Sequence, residues 1–144
     1  MIDDVTRSRL VQEAMTWIGT PWMHRGTVKG AGVDCGQLLA LAAHRVGAID
    51  WIDPGDYPAD WMLHNSVSKF QATVERYAYK KSSLPLPGDI ALFNFGRCIS
   101  HGAMIIEWPK IIHAYRPAKM VVLDDAETNP ILKTRLAGFW EIKA

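Results

Sequence analysis

The sequence predicts an α+β domain, with helices first and an antiparallel β-meander second. Three observations predict it. Apolar residues recur at helical spacing early in the chain, at Leu10, Val11, Ala14, Trp17 and Ile18 and again from Leu38. From Leu84 onward they gather instead in short runs rich in β-branched and aromatic residues, separated by glycine, proline and polar breaks. The chain is 144 residues long, one domain on a scale of roughly 100–200 residues per domain. No repeat, low-complexity tract or linker divides it, so residues 1–144 read as a single domain.

The first helix carries Leu10 to Ile18 and ends at Gly19-Thr20-Pro21. A loop containing Gly26, Gly30 and Gly32 leads to Val33-Asp34. The next helix, 35–46, has full punctuation. Asp34 is its N-cap, and Gln37, three residues on, completes a capping box. Leu38, Leu39, Leu41 and Ala42 form the apolar face, His44 and Arg45 suit the negative end of the dipole, and Gly47 closes it.

Residues 48–60 read as surface loop. Leu63, Val67, Phe70, Val74 and Tyr77 then make one buried helical stripe, which ends at Lys80-Lys81-Ser82-Ser83. Leu84-Pro85-Leu86-Pro87-Gly88-Asp89 is an extended approach and turn. Strands are expected at 90–95, 103–108, 111–115, 120–123 and 139–142, with a polar loop or helical turn over 124–136.

Composition excludes several functions. Hydrophobic residues make up 49% and charged residues 22%, with net charge +1, so no electrostatic case exists for binding nucleic acid or an anionic membrane surface. No apolar run is long enough for a membrane-spanning helix. Met1-Ile2-Asp3-Asp4 shows no basic region followed by an apolar stretch, so synthesis in the cytoplasm without a cleavable signal is expected. Two cysteines are too few for a disulfide scaffold or a four-cysteine zinc site. No motif calls for a cofactor.

The chemistry must lie in a few residues. Cys35 opens the 35–46 helix, where unsatisfied backbone N–H groups and the positive dipole end lower a thiol from its usual ~8.5. The Asp34 charge next door opposes that effect. The bland alternative is a small buried hydrophobe, the usual fate of a free cysteine. His101 follows the turn Gly96-Arg97-Cys98-Ile99-Ser100, and His113 lies inside the neighbouring strand. A tight hairpin lets both face the same side of adjacent strands. Either alone reads as a sheet residue satisfied locally. Together they match what a nucleophilic cysteine needs, a base and a group to orient it.

The other candidates are weaker. His44 is a helix C-terminal cation, His64 adjoins a helix start at the surface, and His24 sits in the loop that leads to Cys35. Cys98 occupies a turn where nothing activates it. A zinc site from Cys35, Cys98, His101 and His113 has only one short chelate, Cys98-x-x-His101, so no metal is expected.

These residues resemble a known pattern. Gly19-Thr20-Pro21-Trp22, Gly32-Val33-Asp34-Cys35-Gly36, Leu86-Pro87-Gly88-Asp89-Ile90-Ala91-Leu92-Phe93, Ser100-His101-Gly102-Ala103 and Ile112-His113-Ala114 fall in the order of the NlpC-type cell-wall cysteine peptidases. The match runs from about Ala14 to Tyr115. Tyr57-Pro58-Ala59-Asp60-Trp61 with Phe95-Gly96-Arg97 looks most like the phage and prophage branch. The resemblance implies a papain-like fold, with Cys35 as nucleophile, His101 as general base and His113 as the third, polar member. It also implies Trp22, Asp34, Gly36 and Ser100 against the substrate, a peptidoglycan stem peptide cut between D-glutamate and a diamino acid. Two departures stand out. Many members carry tyrosine where this chain has Trp22, and serine where it has Gly36.

An amidase cutting the sugar–peptide junction would use the same residues in a different cleft. A phage tail assembly component whose catalytic trio has become incidental is the rival from another class. An acyltransferase on a circularly rearranged fold would place histidine before cysteine, and here Cys35 comes first. With no export signal in view, delivery in a virion tail beside phage tail proteins is the expectation.

Overall fold

The computed structural model describes residues 2–50 and 69–143. Asp3 caps helix α1 (Asp4–Met15), its carboxylate accepting from the Thr6 N–H at 2.7 Å. The expected helix ran to Ile18, but α1 stops at Met15. There the Trp17 N–H bonds the Ala14 carbonyl and the Ile18 N–H the Met15 carbonyl, tight turns that lead into Gly19 at φ 89°. Trp17 is still fully buried, whereas Ile18 is exposed.

The glycine loop holds a small hairpin that the sequence reading did not include, β1 (Thr27–Val28) with β2 (Gly32–Val33). Gly26 permits it. A Cβ there would stand 2.5 Å from the Gly32 carbonyl carbon. Helix α2 (Cys35–Arg45) follows, with Asp34 accepting from the Gln37 N–H at 2.9 Å. The capping box is only half made, since the buried Gln37 Oε1 has no partner among the described residues.

Helix α3 (Lys69–Tyr77) is the later part of the expected second long helix. The expected loop at 48–60 lies mostly outside the described residues, and Leu63, His64 and Val67 lie wholly outside them. The chain does not stay helical to Lys80. It turns at Ala78 into β3 (Ala78–Lys81), which pairs antiparallel with β8 (Leu136–Ile142). Side-chain partners across the ladder explain the change. Tyr79 bonds Glu141, and Lys80 lies over the Trp140 ring.

The remaining strands are β4 (Ile90–Phe95), β5 (Cys98–Glu107), β6 (Lys110–Tyr115) and β7 (Met120–Asp125). The six-stranded sheet has the order β3-β8-β4-β5-β6-β7. Strands β4 to β7 are the expected meander, while β8 returns to lie between β3 and β4. β5 starts at Cys98 rather than 103, because Phe95 pairs with Cys98 and Phe93 with His101 around Gly96. Cys98 is therefore a buried strand residue, not a turn residue.

Helices α1 and α2 cover one face of the sheet. Leu10, Ala14, Leu38, Leu39 and Ala42 join Ile90, Leu92, Met104, Ile112 and Ala114 in one core. The other face carries Ala91, Phe93, Ala103, Ile105, Ile111 and Tyr115, packed with Ala126 and Leu132. A buried ionic network ties α1 to the sheet. Arg7 meets Asp89 at 2.8 Å and also Glu141, and Lys81 meets Asp89 at 2.7 Å.

Candidate active site

Helix α2 presents Cys35 to β5 at the only kind of residue that lets it come so close. A Cβ on Gly102 would lie 2.8 Å from Leu39 Cδ1 and 3.0 Å from Phe70 Cζ. Bare, Gly102 turns its backbone N–H to the Cys35 sulfur. The thiol faces the Ser100 carbonyl oxygen at 3.8 Å. The sulfur thus sits against the two residues that flank His101.

His101 is buried between aromatic rings, with centroids 5.9 Å from Phe93, 5.5 Å from Phe95 and 5.9 Å from Tyr115. Its Nε2 lies 2.8 Å from Nδ1 of His113. The fully buried His113 stacks on Tyr115 at 4.4 Å and 20°, and its Nε2 lies 2.9 Å from Asp124 Oδ2. Asp124 is held in turn. Its Oδ2 accepts from Asn129 Nδ2 at 2.8 Å, and its Oδ1 from the Asp125 N–H at 2.8 Å.

These contacts set the tautomers. A carboxylate only accepts, so His113 carries its proton on Nε2. Its Nδ1 then has a lone pair, which accepts from Nε2–H of His101. That leaves Nδ1 of His101 without a proton, a basic nitrogen.

The electrostatics keep all three groups neutral at rest. Burial, and after it the Asp34 charge, pushes the Cys35 thiol up to about 12, against the pull of the Gly102, Gly36 and Cys35 N–H groups. The thiol-lowering effect expected of the helix start is outweighed, because loss of water costs a thiolate more than the dipole returns. Burial, reinforced by the neighbouring His113, holds His101 well below its ordinary 6.5. Burial also lowers His113, with Asp124 opposing. For Asp124 burial works upward, but the bonds from Asn129, the Asp125 amide and His113 outweigh it and hold the carboxyl below 3.8. A thiol held up in this way needs a base to become a nucleophile.

The structure therefore brings His101 and His113 together, sets Cys35 against the backbone on either side of His101, and adds Asp124, which the sequence places in a loop. The signal was thin. Asp124-Asp125 are poor strand formers, and the role depends on register: Val122 opposite His113 and Asp124 opposite Ile111 put the carboxylate on the histidine's face of the sheet. Burial also raises the Cys98 thiol. Among the described residues no three of His, Cys, Asp and Glu are grouped to hold a metal ion.

The four residues expected against substrate are placed as follows. Trp22 bridges Val33 in parallel, donates its N–H to the Lys119 carbonyl at 2.9 Å, and lies under the Arg116 guanidinium at 5.1 Å. Asp34 accepts from the Gln37 and Arg25 N–H groups. Gly36 faces Phe70, which a Cβ would meet at 3.3 Å. The Ser100 hydroxyl donates to the Phe95 carbonyl at 3.3 Å, so its contribution at the sulfur is its backbone oxygen. His44 sits in the last turn of α2, and His24 in the loop before β1.

No protein-family model and no curated protein matches the chain. Solved structures do. The NlpC/p60 domain of the peptidoglycan hydrolase SagA is 18% identical with TM-score 0.63, covering 96% of this chain and 98% of that one. A Staphylococcus aureus protein described as similar to lipoprotein, NLP/P60 family, is 18% identical with TM-score 0.68, covering 100% of this chain and 43% of its own. An NlpC/P60 family protein from Bacillus cereus is 23% identical with TM-score 0.64, covering 92% of this chain and 39% of its own. The chain spans less than half the length of the latter two. The likeness is one of fold: the α+β arrangement is that of NlpC/P60 domains, as the motif order implied.

Proposed function

We propose that this chain is a cysteine peptidase that hydrolyses amide bonds in peptidoglycan stem peptides, at the γ-D-glutamyl–diamino acid bond. One observation carries the reading. A thiol at the start of a helix lies against a strand whose His101 is oriented, through His113 and Asp124, with an unprotonated nitrogen. The fold that supports it is shared with domains of peptidoglycan hydrolases.

In this reading His101 Nδ1 takes the Cys35 proton as the sulfur attacks the amide carbonyl carbon. The N–H groups of Cys35 and Gly36, unsatisfied within the helix and turned toward the sulfur, stabilise the oxyanion. The C–N bond breaks, and the leaving amine takes the proton back from His101. Water then attacks the thioester carbonyl with His101 again as base, which releases the acid and restores the thiol.

Mass spectrometry of muropeptides, after incubation with purified peptidoglycan and with Cys35→Ala as control, tests the reading. L-alanyl-D-glutamate ends with a freed diamino acid peptide support it. Intact stem peptides released from bare muramic acid replace it with the amidase. No cleavage of any wall preparation overturns it in favour of a tail component. The same reading sets the enzyme in a phage or prophage tail, on the resemblance of Phe95-Gly96-Arg97, and detection of the chain in purified virions tests that setting.

A further inference from the structure

We infer that the proton removed from Cys35 comes to rest on His113 rather than on His101, with Asp124 as the positioning residue that holds it there. This rests on the proposed function, with Cys35 as nucleophile and His101 as its base. The two histidines have unequal surroundings. His101 is enclosed by Phe93, Phe95 and Tyr115 and, among the described residues, touches no carboxylate. His113 has the Asp124 carboxylate 2.9 Å from Nε2, which favours an imidazolium. Among the described residues the groups that face His113 are His101 from β5, Tyr115 from its own strand and Asp124 from β7. Asn129 and the Asp125 N–H hold Asp124 from the segment that follows.

The 2.8 Å nitrogen-to-nitrogen bond is the path. His101 receives the thiol proton on Nδ1 and passes its Nε2 proton to Nδ1 of His113. One proton has moved in net terms. Cys35 becomes a thiolate, His113 an imidazolium paired with Asp124, and His101 stays neutral in its other tautomer, with its proton on Nδ1. When the leaving amine takes that proton, His113 returns its own to Nε2 of His101. The cation never has to reside in the aromatic enclosure.

The test is the pH profile of Cys35 alkylation by iodoacetamide in a Cys98→Ser background, for the parent, Asp124→Asn and Asp124→Ala. Asparagine retains an oxygen to accept from Nε2–H of His113, so it preserves the tautomers and removes only the charge. The expected result is a higher midpoint for Asp124→Asn and alkylation at pH 7 slower by about tenfold or more, the shift of about one unit or more that an opposite charge at this range produces. Asp124→Ala should be slower still. A purely structural role would lower the melting temperature without moving the midpoint. An Asp124→Asn midpoint equal to the parent's overturns the inference. Should the variants fail to fold, ring nitrogen NMR of the parent decides the matter. Imidazolium shifts at His113 on thiolate formation support the relay, and imidazolium shifts at His101 overturn it. Alkylation needs no wall substrate, so a moved midpoint with uncut peptidoglycan would reject the proposed function and leave the relay standing.

Discussion

The Nε2 of His101 and the Nδ1 of His113 approach to 2.8 Å, so one histidine must donate and the other accept, and the two cannot both be cations in that arrangement. Their places in the chain of contacts differ. Among the described residues both nitrogens of His113 are engaged, whereas His101 is bonded through Nε2 alone.

Loss of the two histidines should therefore differ in severity. His101→Ala removes the base and should lower peptidoglycan cleavage by roughly 10²–10⁴-fold, the usual worth of a general base. His113→Gln retains an amide able to bond His101 and Asp124 and should keep a measurable fraction. Steady-state rates on purified wall, with circular dichroism to verify folding, make the comparison. Equal and complete loss in two folded variants would reject the base-and-orienter assignment.

Cys35 should be the sole nucleophile. Cys98 lies buried within β5 rather than at the first position of a helix, and burial raises its thiol. Cys98→Ser should keep wall-degrading activity, and Cys35→Ser should abolish it. The opposite pattern would displace the site from the start of α2. Peptide mapping after iodoacetamide treatment gives the same answer without substrate.

Much of this site is legible in the sequence because its determinants are local. Asp34 as an N-cap puts Cys35 at a helix start whatever the helix packs against, and a tight turn between two apolar runs puts His101 and His113 on adjacent strands. What escapes depends on distant partners. Lys80 and Lys81 read as a helix end, and only β8, arriving from the far end of the chain, makes them a strand. Asp124 gains its role from the β6–β7 register across the tight turn at Arg116–Ala118. The Cys35 thiol is the sharpest case. The helix dipole is visible in sequence, but the desolvation that overrides it is created only when α2 meets β5.

Gly102 tests that meeting directly. A methyl group there would fall 2.8 Å from Leu39 Cδ1, closer than real Cβ atoms come, and a tight 3.0 Å from Phe70 Cζ and 3.1 Å from Leu92 Cδ2. Gly102→Ala should displace Leu39 and with it the start of α2 from β5, at a cost of about 1–3 kcal/mol for overpacking a filled core. The displaced element carries Cys35, the proposed nucleophile. Activity should therefore fall much further than the stability loss alone explains at a temperature where the variant is fully folded. Urea unfolding paired with wall cleavage checks this, and a folded, fully active variant would refute the close docking of Cys35 on β5.

The buried histidines also predict how stability responds to acid. Both are held below the ordinary 6.5, His101 well below, so the unfolded chain binds protons more readily than the folded one as pH falls through that value. Stability should therefore be flat above about pH 7 and decline below about 6.5, by up to ~1.4 kcal/mol per pH unit for each histidine kept neutral. The decline continues until the depressed folded values are reached. Asp124 does not contribute in that window, because its carboxyl is held below 3.8 and its stabilisation is lost only as the pH drops past that point. His113→Gln removes one of the two proton sites, so its unfolding free energy should fall less steeply between pH 7 and 5.5 than the parent's. Catalysis has a different acid limit, since His101 stays an unprotonated base well below 6.5. Activity should thus persist at pH values where stability is already falling. Urea titrations of both proteins at the two pH values, beside cleavage rates over the same range, measure each quantity. Identical slopes for parent and variant would mean that His113 binds protons equally in both states and is not buried as a neutral group.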